Sequence, residues 1–221
     1  MKTRQILMVF VPALILVGVA LFVRIVQYEP LFPDLDEETG APQVVTVPIY
    51  PDDPIIGNKK SPVTIIVFED FGCPACRDQT AILDELISKY PKRVKIVWKG
   101  LPVTQFPYST EMAEKYGYCA NRQEKFEPFK TFAFENIGAL SEEVLNEIIA
   151  QIGVKDKAFR ECVQGEDSAL YIERVKQIAK FLNIQSVPTV FVNGKQIEPP
   201  FNVEGWENML KLNVEETEKQ L

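Results

Sequence analysis

The stretch from Pro62 to Trp98 constrains the fold more than any other part of the chain. "PVTIIVF", residues 62–68, is a β-branched apolar run of the kind that forms a buried central strand. Residues 74–90 follow with Ile82, Leu83, Leu86, Ile87 and Tyr90 on one helical stripe, and Pro91 stops it. "VKIVW", residues 94–98, reads as the next strand. A strand–helix–strand unit of this size implies a parallel pair joined by a right-handed crossover. Where the first strand gives way to the helix stands "EDFGCPACRDQ", with Cys73 and Cys76 separated by two residues.

That placement has chemical meaning. Cys73 falls at the start of the helix, and Pro74 occupies the first helical position, where its missing N–H costs nothing. Helix N-termini present unpaired N–H groups and partial positive charge, which favour a thiolate and lower a cysteine pKa. Cys76 comes one turn later, within reach of a mixed disulfide formed at Cys73. The pair could instead be half a zinc site or a structural staple. Zinc would need two further ligands, and with no histidine in the chain only Cys119 and Cys162 could join it, without forming a second C-x-x-C. A strand–C-x-x-C–helix context favours redox work over a staple.

The rest of the chain narrows the setting. Its 221 residues suit one domain plus appendages, and 46% hydrophobic with 25% charged residues is a globular composition. The absence of histidine removes Ser/His/Asp triads and Cys/His nucleophile pairs. A net charge of −7 leaves no basic patch for nucleic acid. Lys2 and Arg4 precede Ile6 to Val23, an uncharged run at the threshold for spanning a bilayer. Residues 1–26 are therefore expected to be a single-pass membrane anchor, with a cleaved signal ending near Gly18-Val19-Ala20 as the alternative. Positive charge before the span and the acidic Asp34 to Glu38 after it put the N-terminus in the cytoplasm and the domain outside it, where disulfides persist.

Residues 27–43, with Pro30, Pro33, Gly40 and Pro42 among acidic residues, read as a linker. Residues 44–49 are expected to form a short strand and Pro51 to Pro54 a turn. Beyond the second strand, residues 109–120, 126–136, 142–151, 156–163 and 167–182 carry helix-period apolar positions, with Ser141 capping the third helix. Phe126, Phe129, Phe132 and Phe134 read as core. Residues 189–192 and 195–197 flank Asn193-Gly194, the strongest short hairpin signal in the chain, and residues 203–212 are a last amphipathic helix.

"VTIIVFEDFGCPACRD", followed far downstream by "SVPTVFVNGK", resembles the thioredoxin superfamily. The helical block between them, and "DDPIIGNKKSPVTI" ahead of the first strand, make the chain similar to the DsbA-like thiol:disulfide oxidoreductases of bacterial cell envelopes. The resemblance covers roughly residues 44–212. It implies an α/β thioredoxin fold over 44–221, a central mixed sheet flanked by helices, with an inserted all-helical subdomain at about 104–183. It further implies that Cys73 is the exposed nucleophile, Cys76 the buried resolving partner, and Pro188 a cis-proline facing the pair, with Val187 beside it for substrate docking. Taken without the resemblance, Pro188 reads as a trans proline opening an edge strand. Some relatives join cysteines at places comparable to Cys119 and Cys162 in a structural disulfide; two buried free thiols or a second redox relay are the other readings.

The chain also departs from the family. Many relatives place a buried acid six positions before the first cysteine, where this chain has Val67. Glu69 shares its strand parity and is a candidate for the proton-transfer role, although a solvent-exposed Glu69 is the plainer expectation. Ala75 stands where strong oxidases of the family have histidine, and Phe106 near the place of another histidine. Lys99 is a candidate for supplying positive charge near Cys73. The resemblance implies an enzyme without cofactor or metal that oxidises unfolded or partly folded exported proteins as a monomer. A membrane quinone-linked oxidase, DsbB- or VKOR-like, would regenerate it. An envelope reductase or isomerase fed by a membrane electron donor is the alternative, and a tethered chaperone or binding module the third reading.

Overall fold

The computed structural model describes residues 16–19, 46–154 and 156–212. The expected anchor lies outside them except for residues 16–19, which are helical, and the linker lies outside them entirely. Among the described residues no helix is long and apolar enough to cross a membrane. By its contacts the chain divides into two units, Met1–Pro42 and Gln43–Leu221, and the second holds every strand found among the described residues.

The elements of this second unit run β1 (Ile55–Gly57), β2 (Val63–Glu69), α1 (Pro74–Lys89), β3 (Val94–Gly100), α2 (Glu111–Asn121), α3 (Phe126–Glu135), α4 (Glu142–Ile152), α5 (Asp156–Gln164), α6 (Glu166–Phe181), β4 (Thr189–Val192), β5 (Lys195–Ile197) and α7 (Val203–Leu210). The five strands form one mixed sheet in the order β1-β3-β2-β4-β5. β2 and β3 are parallel, with Val63 opposite Val94 and Glu69 opposite Gly100, as the short strand–helix–strand spacing requires. β4 pairs antiparallel with the other side of β2, and β5 closes the hairpin turned by Asn193-Gly194. This is the thioredoxin fold, with helices α2 to α6 inserted between β3 and β4.

One expected element is displaced. Residues 46–50 form no strand, and the short strand that pairs antiparallel with β3 is Ile55–Gly57, in the stretch read as following a turn. Pro48, which cannot donate to a ladder, interrupts the earlier apolar run, although Val47 is still buried.

Both faces of β2 are covered, which is why it reads as a continuous apolar run. Alternation puts Ile65, Val67 and Glu69 on one face, with Trp98 of β3, and Ile66 and Phe68 on the other, with Lys99. On the first face Phe71 stacks on Trp98 at 5.0 Å between centroids, and Phe126, Phe129 and Phe134 of α3 close around them. Ser141 caps α4, its Oγ accepting from the Val144 N–H at 3.3 Å. Cys119 of α2 and Cys162 of α5 are joined by a disulfide that holds two insertion helices together.

Candidate active site

The site begins where β2 ends. Asp70, fully buried, accepts N–H bonds from Gly72 (2.8 Å), Val103 (2.7 Å) and Thr104 (2.6 Å), pinning the turn before Cys73 to the loop after β3. A side chain at Gly72 would lie 2.7 Å from Thr104, so only glycine lets these segments meet. Asp two residues before Gly is an Asx-turn signature and could have been read from the sequence.

Cys73 is the N-cap of α1, with extended backbone (φ −95°, ψ 116°) and Pro74 behind it. Its sulfur accepts from the Cys76 N–H at 3.3 Å, one of the donors every helix start leaves unpaired. No acidic residue lies in the first turn to compete with a thiolate. The Cys76 side chain, hydrogen-bonded to Cys73, and then the backbone N–H groups of Cys76 and Ala75 draw the Cys73 thiol down to about 7, against burial and the charge of Asp70. Cys73 is half-buried and Cys76 wholly buried, and both are free thiols. Burial, the hydrogen bond to Cys73 and the nearby Glu69 push Cys76 in the opposite direction. The two sulfurs are thus sharply unequal: one accessible and easily ionised, the other hidden and held protonated.

The Val187–Pro188 peptide is cis, and the Val187 carbonyl accepts from Cys73 Sγ at 3.7 Å. Residues 114 positions apart in the chain therefore face each other across the site. A second cis peptide, Phe106–Pro107, lies in the loop held by Asp70, and Phe106 is exposed there.

Two expectations need correction. Glu69 does not face solvent: it is 1% exposed, because α1 and α3 cover its face of the sheet. Thr80 Oγ1 of α1 donates to Glu69 Oε2 at 2.8 Å, while Oε1 has no hydrogen-bond partner among the described residues. Burial pushes this carboxyl up to about 8, against the Thr80 hydrogen bond and the charge of Lys130. Lys99 is neither solvated nor engaged with Cys73. Its register partner is Phe68, so it projects from the opposite face to Glu69 and meets Asp53 at 2.5 Å. There it belongs to a buried cluster, with the Tyr171 hydroxyl donating to Asp53 at 3.3 Å and the Tyr50 ring 4.9 Å from the ammonium.

Another buried acid, Glu114 of α2, has no local signal in the sequence that singles it out. Its carboxylate accepts from the Phe71 N–H (3.3 Å) and the Trp98 indole (3.4 Å), and burial holds it well above the usual carboxylate range. A Cβ at Gly100 would lie 1.9 Å from its Oε2, so the glycine ending β3 is the one trace of its approach. Among the described residues no group of three or more His, Cys, Asp or Glu is arranged to hold a metal ion.

Comparison with known proteins places this geometry. A family model described as Thioredoxin matches residues 50–212. The chain is 28% identical over 159 residues to the Na(+)/H(+) antiporter NhaA 3 of Salinispora tropica, a match covering 72% of this chain and 24% of that protein. It spans about a quarter of the length of the first such relatives. It is 26% identical over 160 residues to the probable disulfide bond formation protein D of Bacillus cereus, covering 66% of this chain and 73% of that one. Its fold is similar to the crystal structure of a thioredoxin-like oxidoreductase from Silicibacter pomeroyi DSS-3, with a TM-score of 0.66 at 20% identity over 75% of this chain and 94% of the other.

Proposed function

Because the chain belongs to the thioredoxin family, we propose that Cys73 and Cys76 form an extracytoplasmic dithiol/disulfide couple that introduces disulfides into exported proteins. The observation that carries this reading is the inequality of the two sulfurs: a half-buried Cys73 at a helix start, brought to about 7, beside a wholly buried Cys76.

The reaction follows from that inequality. A substrate thiolate attacks Cys73 Sγ of the oxidised pair, the accessible sulfur. A bond forms between substrate sulfur and Cys73 as the Cys73–Cys76 bond breaks, and the electron pair leaves on Cys76. The Glu69 carboxyl, held near 8 and so protonated at neutral pH, gives its proton to that buried sulfur. A second substrate thiolate then attacks the substrate sulfur of the mixed disulfide and releases Cys73 as a thiolate, which the helix start stabilises. The substrate has lost two electrons and the pair has gained two. The Val187–Pro188 segment, which faces Cys73, suits main-chain pairing with an extended, unfolded polypeptide. A membrane quinone-linked oxidase, DsbB- or VKOR-like, takes the two electrons. The apolar run Ile6 to Val23, with basic residues before it, supports a membrane-anchored domain outside the cytoplasm. The Cys119–Cys162 disulfide is at home in such a compartment.

One observation favours a second reading. A Cys73 thiol near 7 matches the reducing members of the superfamily better than strong oxidants, whose nucleophile sits at about 3.5. The same residues run in reverse make an envelope reductase or isomerase fed by a membrane electron donor. Replacing Cys76 with Ala leaves Cys73 without its resolving partner and is expected to trap substrates as mixed disulfides; a cell envelope with no trapped protein would overturn both readings. The reduction potential separates them: about −120 to −180 mV supports the oxidase and about −270 mV the reductase.

A further inference from the structure

Giving its proton to Cys76 leaves Glu69 ionised, yet in the reduced protein at neutral pH burial keeps a proton on both groups. One proton must therefore enter from solvent after reduction and leave again before Cys76 can be deprotonated for reoxidation. The active-site mouth is a poor source, since Glu69 is 1% exposed and Cys76, which it protonates, is wholly buried. On its other side the carboxylate has, among the described residues, one hydrogen-bond partner, the Thr80 hydroxyl at 2.8 Å. Thr80 is on α1, one turn beyond Cys76, and it lines a groove of about 280 Å³ between α1 and α3 together with Arg77, Asp84 and Lys130. The groove is open to solvent and ample for water, which needs a few polar partners to be held there. It offers such partners: Lys130, itself 2% exposed, reaches both Asp84 oxygens at 2.5 and 2.6 Å.

We propose that the Thr80 hydroxyl and the α1–α3 groove form the route by which protons pass between Glu69 and solvent, separate from the mouth where sulfur is exchanged. This rests on the exchange reaction proposed above. In each cycle Glu69 gives its proton to the Cys76 thiolate and is left ionised. Thr80 then donates its own proton to Glu69 Oε2 and takes one from water in the groove, so the hydroxyl ends as it began and one proton has moved inward. In the reducing direction the same steps run outward. The charged and titratable groups facing Glu69 are Cys73, Cys76 and Asp84 of α1, Glu114 of α2 and Lys130 of α3, with Asp70 next in the chain. Lys130 is the cation among them, and its ion pair with Asp84 places charge of both signs along the route.

The test is the rate at which the reduced protein, equilibrated at each pH between 6 and 9, is oxidised by glutathione disulfide, in the wild type, Thr80→Val and Thr80→Ser, alongside each variant's equilibrium with glutathione. Loss of the relay hydroxyl should slow exchange by about tenfold at neutral pH, since a positioned proton donor contributes at least that much. Thr80→Ser should restore the rate, with the glutathione equilibrium changing less than about twofold across the series. Thr80→Val reacting at the wild-type rate would overturn the route. So would rate and equilibrium moving together, which would make Thr80 only a neighbour that sets the energy of Glu69. Should Thr80→Val not fold, Thr80→Ala takes its place with the same outcomes. A wild-type protein that is not oxidised by glutathione disulfide would defeat the exchange reaction itself, so the two failures are told apart.

Discussion

The two faces of the central sheet each bury an ionisable side chain, one strand apart, and treat it in opposite ways. Lys99 on one face meets Asp53 at 2.5 Å, and Asp53 also accepts from the Tyr50 N–H at 2.6 Å and the Tyr171 hydroxyl at 3.3 Å. Glu69 on the other face keeps one hydrogen bond and leaves Oε1 unpartnered among the described residues. Burial dominates the titration on both faces, raising Asp53 and Glu69 and lowering Lys99. The difference lies in what opposes it. Lys99 has a counter-ion in direct contact and holds structure together; Glu69 has a thiol for a neighbour and a hydroxyl for a partner, and is free to change its charge. A buried charge is informative about chemistry where its pairing is left incomplete.

The sharpest way to break this comparison is Lys99→Met. It leaves Asp53 buried without its cation and should destabilise the fold by about 3–5 kcal/mol in chemical denaturation. The Cys73–Cys76 potential should stay at the wild-type value, because Lys99 projects from the far face. A shifted potential would mean that the two faces communicate.

The next effect has the form of a slope. The raised carboxyl of Glu69 makes the folded reduced protein hold a proton that the unfolded chain, with a carboxylate near 4.5, has already released. Between about pH 4.5 and pH 8 the folded state thus binds more protons, and stability falls as the pH rises through that window. Glu69→Gln removes this contribution, so the variant should gain on the wild type from pH 5 to pH 8, on the order of 3 kcal/mol. Denaturation of the reduced protein at both pH values measures it, and parallel curves would show that Glu69 does not stay protonated in the folded state. The smallest change is Tyr171→Phe, which deletes one long hydrogen bond to the Asp53 carboxylate and should cost about 1.5–2 kcal/mol with no change in potential.

The sequence makes the two faces legible to different degrees. Strand parity alone puts Glu69 with Val67 and Lys99 with Val97, and the Cys-Pro start of α1 locates the nucleophile. Parity cannot say whether a face is covered at the end of a strand, and Glu69 is the last residue of β2. Its burial depends on α3, nearly sixty positions downstream in a helical insertion that could equally have left that corner open. Lys99 is hard to place for a related reason: its partner Asp53 comes from a segment that reads as a surface turn. Glu114 belongs to an amphipathic helix in which an acid reads as solvated, and only the glycine at position 100 hints that something polar presses on the strand. Local periodicity reports elements and their faces, and the insertion decides what those faces meet.

The exposure of Pro74 and Ala75 carries a consequence for how this chain can diversify. Their side chains point away from the core, while the backbone N–H of Ala75 reaches the Cys73 sulfur. Substitutions there can alter the electrostatics of the nucleophile without touching the packing that keeps the domain folded. Mutational drift at two surface positions could therefore carry descendants of this protein from one electron-transfer niche to another while their scaffold stays fixed.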